Sequence, residues 1–243
     1  MTLPSLTSLR AILLDLDDTI LDDEAGRMRA WELVVECVLD AHPALAAGAV
    51  HEAIMASTEW FWSDPERHRR GRLDLDAARA EIIEGGLSAL GRRDPELAVL
   101  ASRRHGEHRE QSQRVLGGAL RALQWLRSRF ELTALVTNGA SAPQRAKIER
   151  FGLTDYFDHI QVEGEFGRGK PDAAVYRHVF ELLGVRPREA LMVGDSISHD
   201  VEGALRLGMQ AVLLARSGQT DTPVENVPVI TSLSELPSVI EGR

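Results

Sequence analysis

The apolar run Ala11-Ile12-Leu13-Leu14 leads directly into Asp15-Leu16-Asp17-Asp18-Thr19, and this junction limits the possible fold more than any other stretch. Four consecutive aliphatic residues read as a strand buried on both faces, as in a parallel sheet covered by helices. Acids at its carboxyl end then lie in the crevice where open α/β sheets bind ligands. Carboxylates crowded there raise one another's pKa unless a metal ion or a buried ammonium compensates, so cations are expected beside them.

From Glu131 onward, short apolar runs alternate with amphipathic helical segments, the pattern of an α/β fold. Strands are predicted at Leu132 to Thr137, Ile160 to Val162, Ala190 to Gly194, Ala211 to Leu214 and Val229-Ile230. Ser141-Ala142-Pro143-Gln144 reads as a capping box opening a helix that ends at Gly152, and Gly184 and Gly208 stand just past two more. Residues from about 22 to 114 instead carry helical periodicity, as in Met28, Trp31, Val35 and Val38, with no convincing strand. The expected organisation is an α/β core of residues 1–21 and 115–243, interrupted by an all-helical domain at 22–114.

Composition narrows the function. The 243 residues are 44% hydrophobic, ample for a core, and the formal net charge of -9 argues against a nucleic-acid polymer or an anionic membrane as partner. No apolar run is long enough to span a bilayer, and Met1 to Arg10 lack a secretory leader's features, so the expected location is the cytoplasm. The single cysteine, Cys37, is expected to pack with Trp31, Val34 and Val38 on a helix face. No internal repeat is present.

Four short motifs follow predicted strands. Asp15 with Asp17 alone would be an acidic turn, Thr137-Asn138-Gly139 a turn, and Lys170-Pro171-Asp172 a loop with Pro at the first helical position. Asp195 and Asp200, in Gly194-Asp195-Ser196-Ile197-Ser198-His199-Asp200, would be an N-cap and a first-turn acid. Their order at successive strand ends is far more specific than any one of them. The set resembles the haloacid dehalogenase superfamily, subfamily I, with a helical C1 cap after the first strand. The resemblance covers nearly the whole chain and implies a flavodoxin-like parallel sheet, Mg2+ and hydrolysis through an aspartyl-phosphate intermediate.

Chemical roles agree with it. Asp15 is the expected nucleophile and Asp17 the general acid and base. Asp15, Asp195 and Asp17, the last through its main-chain carbonyl, are expected to hold the metal, with Asp200 supporting them from behind. Thr137, Asn138 and Lys170 are expected to bind the phosphate. Of 28 basic residues only Lys147 and Lys170 are lysines, so charge alone is met by arginine elsewhere. A compact ammonium at Lys170 suits a tight place between carboxylate and phosphate. Lys147 is expected to be an exposed helix residue.

Asp17 favours phosphate transfer over dehalogenation, since dehalogenating relatives lack that acid and need no metal. The absence of lysine before Ala146 excludes the phosphonate-cleaving branch, which needs one in its cap. Gln144, Lys147-Ile148-Glu149, Tyr156-Phe157-Asp158 and Gly164-Glu165 resemble the pyrimidine 5'-nucleotidase and N-acylneuraminate-9-phosphatase branch most. The expected substrate is a small phosphorylated metabolite, a nucleoside monophosphate or sugar phosphate, handled by a monomer or homodimer. Trp62 and Arg67, within the aromatic and basic run Trp60 to Arg72, are the candidates for substrate choice. Arg103, Arg104, His105, His108 and Arg109 read as a wet helix face. Alternatives are a phosphorylation-dependent signalling or regulatory module without turnover and, within the superfamily, a 2-haloacid dehalogenase.

Overall fold

The computed structural model describes residues 9–216 and 226–242. Along the chain run β1 (Ala11–Leu14), β2 (Leu21–Asp22), α1 (Arg27–Ala41), α2 (Ala47–Ser63), α3 (Pro65–Leu73), α4 (Leu75–Ala89) and α5 (Pro95–Ser112). Then follow β3 (Arg114–Val115), α6 (Ala119–Arg129), β4 (Leu132–Thr137), α7 (Ser141–Arg150), β5 (His159–Val162), α8 (Glu163–Phe166) and α9 (Ala173–Leu183). The chain continues with β6 (Ala190–Gly194), α10 (Glu202–Leu205), β7 (Gln210–Leu214), β8 (Val229–Ile230) and α11 (Leu236–Glu241). It divides into two compact units, Met1–Asp22 with Arg114–Arg243, and Asp23–Gln113.

The first unit is a six-stranded sheet in the order β5-β4-β1-β6-β7-β8, every pairing parallel. β1 lies in the interior because both faces of its sequence are apolar. Ile12 and Leu14 point to one layer with Leu123 and Leu126 of α6, and Ala11 and Leu13 to the other with Val175, Tyr176 and Val179 of α9. Helix α9 shows the local logic: Asp172 accepts from Ala174 N at 2.8 Å to start it, and Gly184, at φ 63°, ends it in the left-handed region. Pro171 thus precedes the helix rather than opening it. All five sheet strands expected beyond β1 are present, two of them one residue longer at the start, and the missed pair β2–β3 forms a two-residue antiparallel ribbon.

Residues Ser141-Ala142-Pro143-Gln144 form no capping box. Helix α7 begins there with Ala140 as its cap and no side-chain cap bond, because Ser141 Oγ donates to Glu165 and Gln144 turns towards Thr137 and Asp17. Tertiary partners have displaced the local one.

The second unit is all-helical. Asp64, Asp74 and Asp94 cap α3, α4 and α5 through bonds to Arg67 N, Ala77 N and Leu97 N, and Pro65 and Pro95 open their helices where no N–H is needed. Val34, Cys37, Ile54, Phe61, Ile82, Ile83 and Ala101 form its core, Cys37 among them as expected. No described helix is long and apolar enough to cross a membrane.

The α5 face expected to be wet is partly dry. Arg103 and Arg104 are exposed, but His105 is only 2% exposed and lies 4.3 Å from Trp31 between ring centroids. Neither of its ring nitrogens has a hydrogen-bond partner among the described residues, while Arg109 pairs with Asp23. Burial, then the charges of Arg79, Arg109 and His108, push the His105 imidazole down from 6.5 to about 3. The unfolded chain therefore takes up a proton below pH 6.5 that the folded unit refuses until near pH 3, and stability falls as the pH drops through that window. Acidification from pH 7 to 5 is expected to cost this unit about 2 kcal/mol through His105 alone. Hydrogen exchange of the α1, α4 and α5 amides in the full chain measures it, and His105→Leu should flatten the dependence.

Candidate active site

β4, β1 and β6 are neighbours, so the residues after them share one end of the sheet. The strand order reverses here, since the chain runs from β1 outward to β4 and β5 and then returns to β6 on the other side. Asp15 follows β1, Thr137 ends β4, and Asp195 follows β6. One carboxylate oxygen from each of Asp15, Asp195 and Asp200 lies within 4.8 Å of the others. Lys170 enters from the segment between α8 and α9, only 2% exposed, and its Nζ donates to Asp15 Oδ1 at 2.5 Å and Asp200 Oδ1 at 2.6 Å.

This approach needs space that two glycines provide. A Cβ at Gly194 would collide with the Asp200 carboxylate, and one at Gly169 would lie 2.6 Å from Glu163 Oε1 and 2.7 Å from Asn138 Oδ1. Asn138, expected on the phosphate, has its side chain engaged elsewhere. Its Oδ1 accepts from Lys170 N at 2.7 Å and its Nδ2 donates to Lys170 O at 2.8 Å. A reciprocal pair of this kind fixes the backbone that aims the ammonium. Tyr176 helps on the other side, its hydroxyl donating to His199 O in the turn before Asp200.

Asp17 has separate surroundings. Its Oδ1 is 2.7 Å from Lys147 Nζ and its Oδ2 accepts from Gln144 Nε2 at 2.9 Å, while the same amide donates to Thr137 Oγ1 at 2.6 Å. Lys147 was expected to be exposed, yet its side chain is only 13% exposed and belongs to the site. Sequence reasoning missed this, although a signal was available: Gln144 and Lys147 stand three apart on one helix face, behind the strand that ends in Thr137. The remaining acids are also sorted. Asp18, in the left-handed region at φ 57°, accepts from Arg216, which also bonds Asp22, and Asp22 pairs with Arg114 across the β2–β3 ribbon.

Full ionisation would leave the charge around Asp15 unbalanced, since three carboxylates, Asp15, Asp195 and Asp200, would face one ammonium, an excess of -2. Burial works against the Lys170 ammonium, but Asp15 and Asp200 outweigh it and hold it charged above the ordinary lysine range. Part of Asp195 reaches the surface, yet the protein around it, then Asp15, Asp200 and Asp18, push its carboxyl up to about 8. Hard oxygen donors that carry two excess negative charges when ionised fit a divalent cation such as magnesium.

In the helical unit the two candidates for substrate choice carry structural duties. The Arg67 guanidinium donates to the carbonyls of Trp60 and Phe61 at the end of α2 and lies 3.9 Å from the Trp60 ring centroid. Trp62 is half-buried beside Phe61 and His68.

A family model of haloacid dehalogenase-like hydrolases matches residues 9–208. This chain belongs to that family. It is 31% identical to a phosphoserine phosphatase of Thermus thermophilus, over 88% of this chain and 92% of that enzyme. It is 36% identical to the mouse N-acylneuraminate-9-phosphatase, but that match spans only 44% of this chain and 45% of the mouse protein. The hydrolase YfnB of Bacillus subtilis, solved bound to magnesium, superposes with a TM-score of 0.72 over 96% of this chain and 98% of its own, at 22% identity. That likeness shows the fold.

Replacing Lys170 with Met leaves Asp15 and Asp200 buried together without an ammonium, a change expected to cost about 3–5 kcal/mol. Urea denaturation in metal-free buffer measures it. The loss should shrink in an Asp200→Asn background, because one of the stranded charges is gone; an equal loss in both would make Lys170 a packing residue only.

Proposed function

We propose that this protein is a magnesium-dependent phosphomonoesterase of the cytoplasm, a monomer or homodimer acting on a small phosphorylated metabolite such as a nucleoside monophosphate or sugar phosphate. The observation that carries the reading is the separation of two acids in one motif. Asp15 lies on the Lys170 ammonium, and Asp17 lies two residues on with partners of its own. A nucleophile and a proton carrier need such different surroundings. The names of the Thermus and mouse relatives support a phosphorylated metabolite as substrate.

In the first half-reaction an Asp15 carboxylate oxygen bonds to phosphorus, the bond to the leaving oxygen breaks, and a proton on Asp17 passes to that oxygen. In the second, a water oxygen bonds to phosphorus, the Asp15 bond breaks, and the water's proton returns to Asp17. Lys170 and the Thr137 hydroxyl steady the phosphoryl oxygens. Asp15, Asp195 and the main-chain carbonyl of Asp17, supported by Asp200, would hold Mg2+, which when bound neutralises phosphate charge. The helical unit is the proposed seat of substrate choice, with Trp62 and Arg67 as its first candidates.

The test is turnover of p-nitrophenyl phosphate with and without magnesium. Chelation should abolish it and added magnesium restore it. Asp15→Asn should lower it at least about 1000-fold, a barrier increase of about 4 kcal/mol, with an unchanged circular-dichroism spectrum. Residual activity within tenfold of the parent would remove Asp15 as nucleophile, undiminished turnover in excess chelator would remove the magnesium requirement, and no turnover with or without magnesium would favour the dehalogenase reading.

A further inference from the structure

We propose that Lys147 and Gln144 are positioning residues for Asp17, a two-point clamp that sets where it gives and takes its proton. The inference rests on the reading of Asp17 as proton carrier and goes beyond it in naming what holds that group.

The geometry is specific. Each Asp17 oxygen has its own donor, Lys147 on Oδ1 and Gln144 on Oδ2, so the carboxylate is fixed in rotation as well as position. Both donors come from one face of α7 and move with it as a unit. The Gln144 amide, 3% exposed, also bonds Thr137 Oγ1, which ties the Asp17 carboxylate to the hydroxyl at the end of β4. Small misplacements of a reacting group carry large rate penalties.

Residue choice is a second, independent support. Helix α7 carries Arg145 and Arg150, and 26 of the 28 basic residues in the chain are arginines. The two lysines stand on the two acids of the motif, Lys170 on Asp15 and Lys147 on Asp17. A forked guanidinium at residue 147 would tend to claim both Asp17 oxygens and displace Gln144, whereas an ammonium leaves one oxygen for the amide. In the proposed chemistry only Asp17 exchanges a proton with leaving oxygen or water.

Leaving-group dependence tests the clamp. An alkoxide leaving group needs the proton from Asp17 and p-nitrophenolate does not, and kcat/KM reports the half-reaction in which the leaving group departs. Lys147→Met is expected to lower kcat/KM about 100-fold on glycerol phosphate but only a few-fold on p-nitrophenyl phosphate. Gln144→Met should move the ratio in the same direction, and Lys147→Arg should recover only part of it. Thermal melts identify a misfolded variant, in which case Gln144→Met and Lys147→Arg decide. Equal losses on both esters, or none on either, would overturn the clamp. Asp17→Asn separates the two layers: if it raises the ratio and Lys147→Met does not, the clamp alone is wrong. If Asp17→Asn leaves the ratio unchanged, the proton-carrier reading fails and the clamp falls with it.

Discussion

The Lys170 ammonium between Asp15 and Asp200 is the interaction on which the rest of the core's active end depends. A lysine this deeply buried is tolerable only with charge partners at hydrogen-bond distance, and two carboxylates this close are tolerable only with a cation between them. Each member thus makes the others possible. The same triplet joins three segments distant in sequence: the end of β1, the loop before α9 and the turn after β6. Asn138 holds the lysine backbone and Tyr176 the turn carrying Asp200, so the aim of the ammonium is set from both sides.

A stretch with acids at residues 15, 17, 18 and 22 becomes workable because four cations are distributed among them. Lys170 takes Asp15, Lys147 takes Asp17, Arg216 takes Asp18 and shares Asp22 with Arg114. Separation of partners lets neighbouring carboxylates do different work. The pairs at Asp18 and Asp22 have no part in the proposed chemistry. They hold the β2–β3 ribbon, where the chain leaves and re-enters the sheet-bearing unit.

The helical unit follows the same physical rules without sharing the sheet. Three of its helices start on Asp64, Asp74 and Asp94, and its buried core is aliphatic apart from Phe61 and Cys37, with Trp31, Met55 and Trp62 packed against it. His105 is the exception, a polar ring kept neutral by burial and by nearby arginines. The helical spacing of Arg103 to Arg109 showed that these residues lie along one helix. It could not show that the helix turns His105 inward, because spacing carries no information on what packs against a polar face.

By itself the sequence determined the parallel sheet, the helical insertion and the acids at the strand ends. These follow from local and near-local physics: aliphatic runs need two apolar faces, helical periodicity buries one, and strand ends project into a crevice. The pairing of Lys147 with Asp17, across 130 residues, was decided only by the tertiary structure. So was the fate of Ser141 and Gln144, whose spacing promised a capping box until Glu165, Thr137 and Asp17 came within reach. Asn138 likewise carries a turn signature, and only the fold brings Lys170 to its side chain. Polar side chains bond whichever partner the fold delivers, and that delivery depends on the parallel order of β4, β1 and β6, not on distance along the chain.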